Sequence, residues 1–341
     1  MKIIVTANKT PFLPGGADYQ VRGLVTALQA HGHEVELLQL PFRFSPEEEV
    51  LRLMEFAEHT DLNRPNGVRV DRVISLQFPG YAMRHDHHRV WIMHQHRAVY
   101  ELYEQQPPSP QLQALREQIT AFDERALGRA EALFANSRRV AERLRHYNGL
   151  PSQPIYHPPY RRDDFHCAEP LEYFFYPSRL ETLKRQDLVI EAAALMKSPA
   201  RILIGGAGGQ QRAFQQLITK LDVADRVQLI GRFSEAEKLV LYARSLGVLF
   251  VPHDEDYGYI TLEAMLSSKP VITCTDSGGS LEFVEHEHNG QVVAPEPAQL
   301  AAAMDDLHQH RRLAAAMGAR GRQLMERLAI SWDQVVEQLL A

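Results

Sequence analysis

The segment GVLFVPHDEDYGYITLEAMLSSKPVITC, residues 247–274, decides the fold class of this chain. Its first seven residues form an apolar run typical of a buried strand, and the run from Tyr259 or Ile260 to Ser267 is predicted to be a helix. Gly258 permits a tight turn between the two. A second apolar run, KPVITCTD, follows the helix. This order indicates a strand–helix unit of a parallel sheet.

Two glutamates, Glu255 and Glu263, stand in this segment with seven residues between them. Glu255 follows the strand directly, and ligand sites of open parallel sheets lie beyond the carboxyl ends of the strands. The first amides of the following helix favour a phosphate, and a carboxylate can accept two hydroxyl hydrogen bonds from a ribose or hexose. The spacing therefore predicts one carboxylate for each end of a sugar nucleotide, with the phosphates between them.

The same alternation runs through the whole chain and predicts an α/β fold. Strands are expected at KIIVTAN, HEVELLQL, VDRVISLQ, RVWIMHQ and EALFANS, then at EYFFYPSRL, ARILIGGAG, RVQLIG, GVLFVPH and GQVVAP, with helices between them. Proline interrupts the pattern in PSQPIYHPPYRRDDFH, residues 151–166, which is the expected linker. We expect doubly wound domains over 1–165 and 166–320, a cleft between them, and C-terminal helices over 321–341 that could pack back on the first domain.

Composition limits the class of protein. A chain of 341 residues suits two domains, and 37 Lys and Arg against 43 Asp and Glu give a net charge of -6, so no nucleic-acid partner is expected. Cys167 and Cys274 fit neither a disulfide framework nor a zinc site. The first apolar run is too short for a signal peptide, and no window approaches about 18 apolar residues. We expect a soluble cytoplasmic protein.

In the first half, a glycine pair is the first candidate binding element. Gly15 and Gly16 precede a helix with Asp18 in its first turn, which suits an anion at the helix N-terminus. A tight turn capped by Asp18 explains the same residues. The glycines are adjacent and lack the G-x-G-x-x-G spacing, so a nicotinamide dehydrogenase is disfavoured.

Histidines mark the carboxyl end of the strand RVWIMH. His94 and His96 would face the same side if the strand persisted, where one ring could touch a bound sugar or phosphate. A hydrogen-bonded structural histidine is the alternative. The run HDHH, residues 85–88, suggests a metal, but it lies at the opposite end of this strand. We therefore expect no metal site.

In the second half, two basic residues lie on the loop PSRLETLKRQDLV. Arg179 offers a planar fork and Lys184 a mobile charge, a pair that suits a diphosphate. A solvated loop is the alternative. The loop from Gly205 to Gly209 follows the next strand and could pass close to a nucleotide, although it also lacks the third glycine of a dinucleotide site.

These segments together resemble the retaining glycosyltransferases of family 4, which have the GT-B fold of two Rossmann-like domains facing a central cleft. The resemblance covers most of the chain and rests on seven segments in the family's order: GGADYQVRGLVTAL, WIMHQHR, FANSRRVAERL, IYHPP, PSRLETLKRQDLVIEA, LIGRFSEAEKLVLYA and DEDYGYITLEAMLSSKPVITCTDSGGSLEFV.

The resemblance implies a role for each matching residue. Arg179 and Lys184 would bind the donor diphosphate, and Glu263 would bind the ribose. Glu255 would hold the transferred sugar, and His94 would touch it near the reacting carbon. The catalytic group is thus Glu255, His94, Arg179 and Lys184, and the other substrate contacts are Gly15, Gly16, Gly205, Gly231, Gly258, Tyr259, Ile260 and Glu263.

The acidic segment differs from the usual family pattern and also contains a D-x-D motif. Where the family usually has Gly or Ser and then Phe after the first glutamate, this chain has Asp256 and Tyr257, so contacts beside the sugar could differ. Asp254 and Asp256 also form a D-x-D, the metal signature of the other main glycosyltransferase fold. Members of family 4 generally need no metal or other cofactor, and we expect none here.

The expected function is the transfer of a hexose from a nucleoside diphosphate sugar to an acceptor hydroxyl, with retention of configuration, in glycan or glycolipid synthesis. A sugar-nucleotide synthase or phosphorylase of the same fold, and a non-catalytic nucleotide-sugar binding protein, are the alternatives. The acceptor is a glycan or a lipid-linked sugar. The basic helix SRRVAERLRHY, with Arg138, Arg139, Arg143 and Arg145, could contact the inner face of a membrane or could be solvated.

Overall fold

Two parallel sheets of six strands organise the chain within residues 1–12, 15–107 and 109–341, which the computed structural model describes. These residues divide into two compact units. Unit 1 comprises Met1–Pro158 and Ile330–Ala341, and unit 2 comprises Pro159–Ala329. Each unit has its own sheet, and all strand pairs in both sheets are parallel.

The sheet of unit 1 has the strand order β2-β1-β3-β4-β5-β6. Its strands are β1 (Lys2–Lys9), β2 (Glu34–Pro41), β3 (Arg72–Ser75), β4 (His88–Ile92), β5 (Ala132–Ala135) and β6 (Gln153–Pro154). Its first four helices are α1 (Gly16–Ala30), α2 (Glu47–His59), α3 (Pro110–Leu127) and α4 (Arg138–Asn148).

The sheet of unit 2 has the order β12-β11-β10-β7-β8-β9, so the direction of winding reverses between β7 and β10. Its strands are β7 (Tyr173–Pro177), β8 (Arg201–Gly205), β9 (Val227–Gly231), β10 (Gly247–Leu249), β11 (Val271–Cys274) and β12 (Gly290–Val293). Its helices are α5 (Gln186–Ala193), α6 (Gln211–Lys220), α7 (Glu235–Ala243), α8 (Tyr259–Leu266), α9 (Pro297–Gln309) and α10 (Arg311–Leu328).

Short 3₁₀ turns complete the regular structure. They span Pro65–Gly67, Gly80–Ala82, Arg97–Val99, Tyr103–Gln105, Arg162–Asp164, Thr182–Lys184 and Gly279–Glu282.

The C-terminal residues divide between the units at a different point from the expected boundary at 321. Helix α10 stays with unit 2 because two of its glycines pack closely there: a Cβ on Gly318 would lie 2.0 Å from the carbonyl oxygen of Ser268. The last helix, α11 (Trp332–Leu340), belongs to unit 1. The Trp332 ring lies so close to Gly23 of α1 that a Cβ there would be 2.0 Å away. The first division falls after Pro158, earlier than the expected residue 165.

A buried carboxyl group joins three elements of unit 1. Asp123 of α3 is fully buried and accepts hydrogen bonds from the hydroxyls of Tyr81 and Tyr100. Burial raises the pKa of Asp123 to about 7, although the two hydroxyl donors act in the opposite direction. The Tyr100 hydroxyl also accepts a hydrogen bond from the Asn148 amide at 3.1 Å, and Asn148 in turn accepts from Gln95. This network holds the loop after β4.

Asp123→Asn is expected to change how stability depends on pH. A carboxyl group with a higher pKa in the folded than in the unfolded chain loses its stabilising contribution as the pH rises through about 7. The asparagine variant should therefore gain stability relative to the natural chain, on the order of a few kcal/mol, between about pH 4 and pH 8. Chemical denaturation at each pH measures this difference.

Asp305→Asn is the matched control for this experiment. Burial raises the pKa of Asp305, but hydrogen bonds from the backbone amides of Lys197 and Ser198 outweigh burial and lower it below the usual value. Its contribution is present above the pKa of the unfolded chain and is lost as the pH falls, so the control variant should lose relative stability as the pH rises. If both variants follow the same pH trend, Asp123 does not carry a raised pKa.

Candidate active site

An ion pair bridges the point in unit 2 where the winding of the sheet reverses. Lys184 lies on the loop after β7, and Glu255 lies on the loop after β10, the neighbouring strand. The Lys184 ammonium donates to Oε2 of Glu255, and the side chains are only 18% and 17% exposed. The gap beside such a switch point is where open parallel sheets bind ligands. Two of the predicted site residues are therefore in direct contact there.

The backbone beneath Lys184 is fastened to the same strands. The buried hydroxyl of Tyr176 donates to the carbonyl oxygen of Lys184, and burial raises the pKa of Tyr176, which keeps this hydroxyl protonated. The amide of His253 donates to the carbonyl oxygen of Leu183 at 2.8 Å. The Lys184 ammonium also lies 5.6 Å from the centre of the Phe250 ring. Lys184 is thus held from both its backbone and its side chain.

Arg185 lies beside this ion pair and is a residue that sequence reasoning missed. Its guanidinium donates to the carbonyl oxygens of Val251 and Pro252 and makes a bidentate pair with Asp276, all at 2.7 to 2.8 Å. Burial lowers the pKa of Arg185, but the Asp276 carboxylate outweighs burial and raises it. Arg185 directly follows Lys184 in the sequence. No local pattern, however, could have indicated a partner 91 residues away.

The loop that carries Glu255 pairs with the loop after β11. The Asp254 amide donates to the carbonyl oxygen of Asp276 at 2.9 Å, and the Gly279 amide donates to the carbonyl oxygen of Glu255 at 2.7 Å. Gly278 has a φ of +61° there, and a Cβ would lie 2.5 Å from the Glu255 carbonyl oxygen. The segment TDSGGS therefore needs glycine because its backbone touches that of Glu255.

Helix α8 begins immediately after this loop. Gly258 precedes it with a φ of +82°, a conformation that favours glycine, and no side chain caps the helix. The amides of Tyr259 and Ile260 belong to its first turn, the positive end of the helix. The Tyr257 ring is buried and packs edge-on against Tyr259 and Phe283. The Tyr257 side chain therefore contributes to the core.

Glu263 lies inside α8 and is held by two side chains of α7. Its Oε1 accepts from the Lys238 ammonium at 2.9 Å, and its Oε2 accepts from the Tyr242 hydroxyl at 2.7 Å. Lys238 also pairs with Glu235 at 2.9 Å. Burial, and then the Glu263 charge, raise the pKa of Tyr242 well above its usual value. Lys238 and Tyr242 are four residues apart, so they share a helix face, and this spacing was the available sequence signal.

Arg179 lies apart from these buried pairs. Its side chain is exposed, and it has no ion pair among the residues that the structure describes. The loop that carries it is bonded to the loop after β8: the Ser178 amide donates to the carbonyl oxygen of Gly205 at 2.9 Å, and the Leu180 amide donates to that of Ala207 at 3.2 Å. Arg179 is therefore an exposed side chain on a loop whose backbone is bonded on both sides of it.

The glycines after β8 have a packing role. A Cβ on Gly206, whose φ is +135°, would lie 2.0 Å from the Ser178 carbonyl oxygen, and one on Gly208 would lie 2.3 Å from that of Leu180. A Cβ on Gly205 would lie 2.5 Å from the Phe233 ring. Gly231, at the end of β9, has a φ of +71° with open space around it. The first three glycines are thus required by the contact between loops.

The glycine pair of unit 1 lies where α1 begins. The Asp18 carboxylate accepts from the Gly15 amide at 2.9 Å and from the Lys9 ammonium at 2.5 Å. Asp18 therefore caps the helix, as the alternative interpretation held. Gly15 has an extended backbone that any residue adopts, and a Cβ there would touch nothing within 4 Å. Gly16 is the first residue of α1.

The two histidines after β4 do not share a face. The strand ends at Ile92, so the alternation expected for His94 and His96 does not continue to them. The His94 ring contacts the carbonyl oxygen of Gln95 at 2.7 Å and is partly exposed. His96 is buried against Phe42 and Phe78, and burial lowers its pKa to about 4. The structure therefore makes His96 a core residue and leaves His94 at the edge.

The acidic and histidine clusters form no metal site within the described parts of the chain, where no three His, Cys, Asp or Glu side chains are placed to hold an ion. His88 of the HDHH run is buried at the start of β4 and bonded to the Ser75 hydroxyl at 2.7 Å.

The basic helix α4 does not present all its arginines to solvent. Arg143 is buried and pairs with Glu101 at 3.1 Å, whereas Arg138 and Arg145 are exposed. A membrane contact of this helix could therefore use only part of the predicted basic set. Among the described helices, none combines the length and the hydropathy that a membrane span requires.

The chain is similar in sequence to known glycosyltransferases. Residues 162–324 match the sequence model of the family described as glycosyl transferases group 1. The chain is 32% identical over 108 residues to human alpha-1,3/1,6-mannosyltransferase ALG2, a match that covers 32% of this chain and 26% of that protein. It is 28% identical over 247 residues to D-inositol 3-phosphate glycosyltransferase of Geodermatophilus obscurus, with 64% and 53% covered. The chain thus spans about a quarter to a half of these relatives.

A solved structure has the same fold as this chain. Anabaena Alr3699/HepE, in complex with UDP-glucose, aligns with a TM-score of 0.74 at 18% identity, and the match covers 100% of this chain and 98% of that one.

Two glycines of the loop after β8 test whether that loop needs glycine for packing. Gly206→Ala is expected to lower the free energy of unfolding by roughly 2 kcal/mol or more, because a Cβ would meet a backbone carbonyl at 2.0 Å in a strained conformation. Gly209→Ala, where a Cβ meets nothing within 4 Å, should change it by less than about 0.5 kcal/mol. Equilibrium denaturation of both variants measures the difference, and equal losses would refute the packing role.

Proposed function

Because residues 162–324 of this chain match the sequence model of the glycosyl transferases group 1 family, we propose that the protein is a retaining glycosyltransferase of family 4. The proposed reaction moves a hexose from a nucleoside diphosphate sugar to an acceptor hydroxyl. The GT-B fold expected from the sequence is confirmed. The observation that carries the proposal is the contact of Lys184 with Glu255 at the switch point of unit 2.

The proposed donor site has positive groups for the diphosphate and carboxylates for the two sugars of the donor. Lys184 and the first amides of α8 supply positive charge for the diphosphate, and the exposed Arg179 can move to a second phosphate. Glu255 would hold the hexose, and Glu263 the ribose. Lys184 lies against the carboxylate that would hold the sugar, so one ammonium would contact both Glu255 and the leaving phosphate. Negative charge grows on that phosphate as an oxocarbenium-like transition state forms, and preorganised positive charge stabilises it.

The rest of the site follows from the same proposal. Unit 2 would bind the donor, and unit 1 would bind a glycan or lipid-linked acceptor. His94 and Gly16 are the residues of unit 1 that the resemblance assigns to the donor. We propose that the protein works in the cytoplasm, or at the inner face of a membrane to which the exposed arginines of α4 could bind. UDP and UDP-glucose are the first ligands to test, since the Anabaena protein of similar fold was solved with UDP-glucose.

Donor binding is expected to survive chelation of metal ions. The proposed positive charge comes from Arg179, Lys184 and helix amides, so EDTA should leave the dissociation constant of the best nucleoside diphosphate sugar within about twofold. Titration calorimetry with and without EDTA checks this, with UDP-, GDP- and ADP-sugars as the panel. Loss of binding in EDTA that Mn²⁺ or Mg²⁺ restores would instead assign a metal to Asp254 and Asp256.

The two glutamates are expected to have different roles. Glu263→Gln should weaken binding of the nucleoside diphosphate by roughly 1.5 to 3 kcal/mol, because it loses a charge-assisted bond to the ribose. Glu255→Gln should leave that affinity nearly unchanged, because the proposed contact of Glu255 is with the hexose, while it cuts transfer sharply. Calorimetry with the diphosphate and a transfer assay measure both effects.

The control for both variants is a check that they remain folded. Glu263 is buried against Lys238 and Tyr242, so its variant needs a melting curve before binding is compared. The reverse pattern, in which Glu255→Gln loses the bare diphosphate and Glu263→Gln keeps it, would exchange the two roles and refute the assignment.

A further inference from the structure

We propose that Arg185 is a positioning residue that fixes Lys184 for the diphosphate, a role that rests on the proposed function of this site. Its guanidinium is bonded to two backbone carbonyl oxygens and to the Asp276 carboxylate. It acts through the backbone of the two loops that carry Lys184 and Glu255, and it makes their ion pair a preorganised feature of the site.

The bonds of Arg185 converge on the loop that carries Glu255. Two donate to the carbonyl oxygens of Val251 and Pro252, which follow β10 and precede Glu255 by only a few residues. Lys184 reaches the same loop further along, at Glu255 itself. Two successive side chains from the loop after β7 thus fasten the base and the tip of the loop after β10. With its base fixed, Glu255 meets Lys184 without a search through loop conformations.

Asp276 adds the third loop to this arrangement. Its carboxylate accepts two bonds from Arg185 at 2.7 and 2.8 Å, and its carbonyl oxygen accepts from the Asp254 amide at 2.9 Å. The side chain of Asp276 therefore holds Arg185, and its backbone holds the residue before Glu255. A planar guanidinium can make this bidentate pair and reach two carbonyl oxygens at once, which a lysine ammonium cannot do.

The backbone conformation of Arg185 accounts for the different partners of two successive side chains, Glu255 for Lys184 and Asp276 for Arg185. Its φ of +51° and ψ of +41° place it in the left-handed region, between the 3₁₀ turn Thr182–Lys184 and helix α5. This conformation is uncommon for a residue with a Cβ, and here the four hydrogen bonds of the side chain offset its cost. Glycine tolerates the same conformation, so Arg185→Gly removes the guanidinium without adding backbone strain.

A double-mutant cycle on nucleoside diphosphate binding tests the proposal. The ligand is whichever of UDP, GDP and ADP the natural chain binds most tightly in calorimetry. Arg185→Gly alone is expected to weaken binding about tenfold. If Arg185 acts through Lys184, the variant that combines Arg185→Gly with Lys184→Ala should bind within about twofold of Lys184→Ala alone.

Chemical rescue separates positioning from general damage. About 20 mM guanidinium chloride, far below denaturing concentrations, should restore part of the lost affinity in Arg185→Gly but none in Lys184→Ala. The same concentration of NaCl is the ionic control. Arg226→Ala is the matched control variant. Arg226 directly precedes β9, and its guanidinium also donates to two backbone carbonyl oxygens, those of Met196 and Ser198. It should leave the diphosphate affinity within about twofold.

Each outcome decides the question. If Arg185→Gly fails to fold, Asp276→Asn replaces it in the cycle, since that change weakens the hold on Arg185 and keeps its two carbonyl bonds. Multiplicative losses in the double variant, or no loss in the single one, overturn the positioning role while the proposed function stands. If the natural chain binds no nucleoside diphosphate, the proposed function fails, and the role of Arg185 fails with it.

Discussion

The adjacency of β7 and β10 is the constraint on which the candidate site of unit 2 depends. Parallel strands end at one edge of a sheet, and only where the winding reverses do the two following loops leave a gap between them. Lys184 and Glu255 occupy that gap as an ion pair. Partly buried charges interact in a lower dielectric than water provides, so each stabilises the other more than a surface pair would. The pair is therefore an ordered element of the site.

Close backbone contacts support this pair. Loops that touch through Gly206, Gly208 and Gly278 leave no room for a Cβ, so the carboxyl edge of unit 2 is a layer of packed backbone. Polar backbone groups in such a layer must bond to each other, and they do so across loops. Arg185 extends this bonding from backbone to side chain, because it satisfies carbonyl oxygens of one loop and the carboxylate of another. Exposed side chains such as Arg179 are therefore attached to a backbone that these bonds hold in place.

In unit 1, side-chain hydrogen bonds hold a loop at the carboxyl edge of the sheet. Its loop after β4 carries His94 and is held by a chain of hydrogen-bonded polar side chains that runs from Gln95 through Asn148 and Tyr100 to Asp123. A hydrogen-bonded network of this kind favours one arrangement of the loop. Hydrophobic packing, instead of polar bonding, holds His96 on the same loop. The two units thus fix their edge loops by different interactions.

The sequence by itself determined the alternation of strands and helices and the GT-B fold, because periodicity, turn glycines and motif order are local properties of the chain. It also located the loops of Lys184 and Glu255. Only the tertiary structure decided that these two residues touch, that Asp276 holds Arg185, and that α10 stays with unit 2 while α11 joins unit 1. Partners 71 and 91 residues apart meet because of strand order, and no local pattern encodes which strands become neighbours.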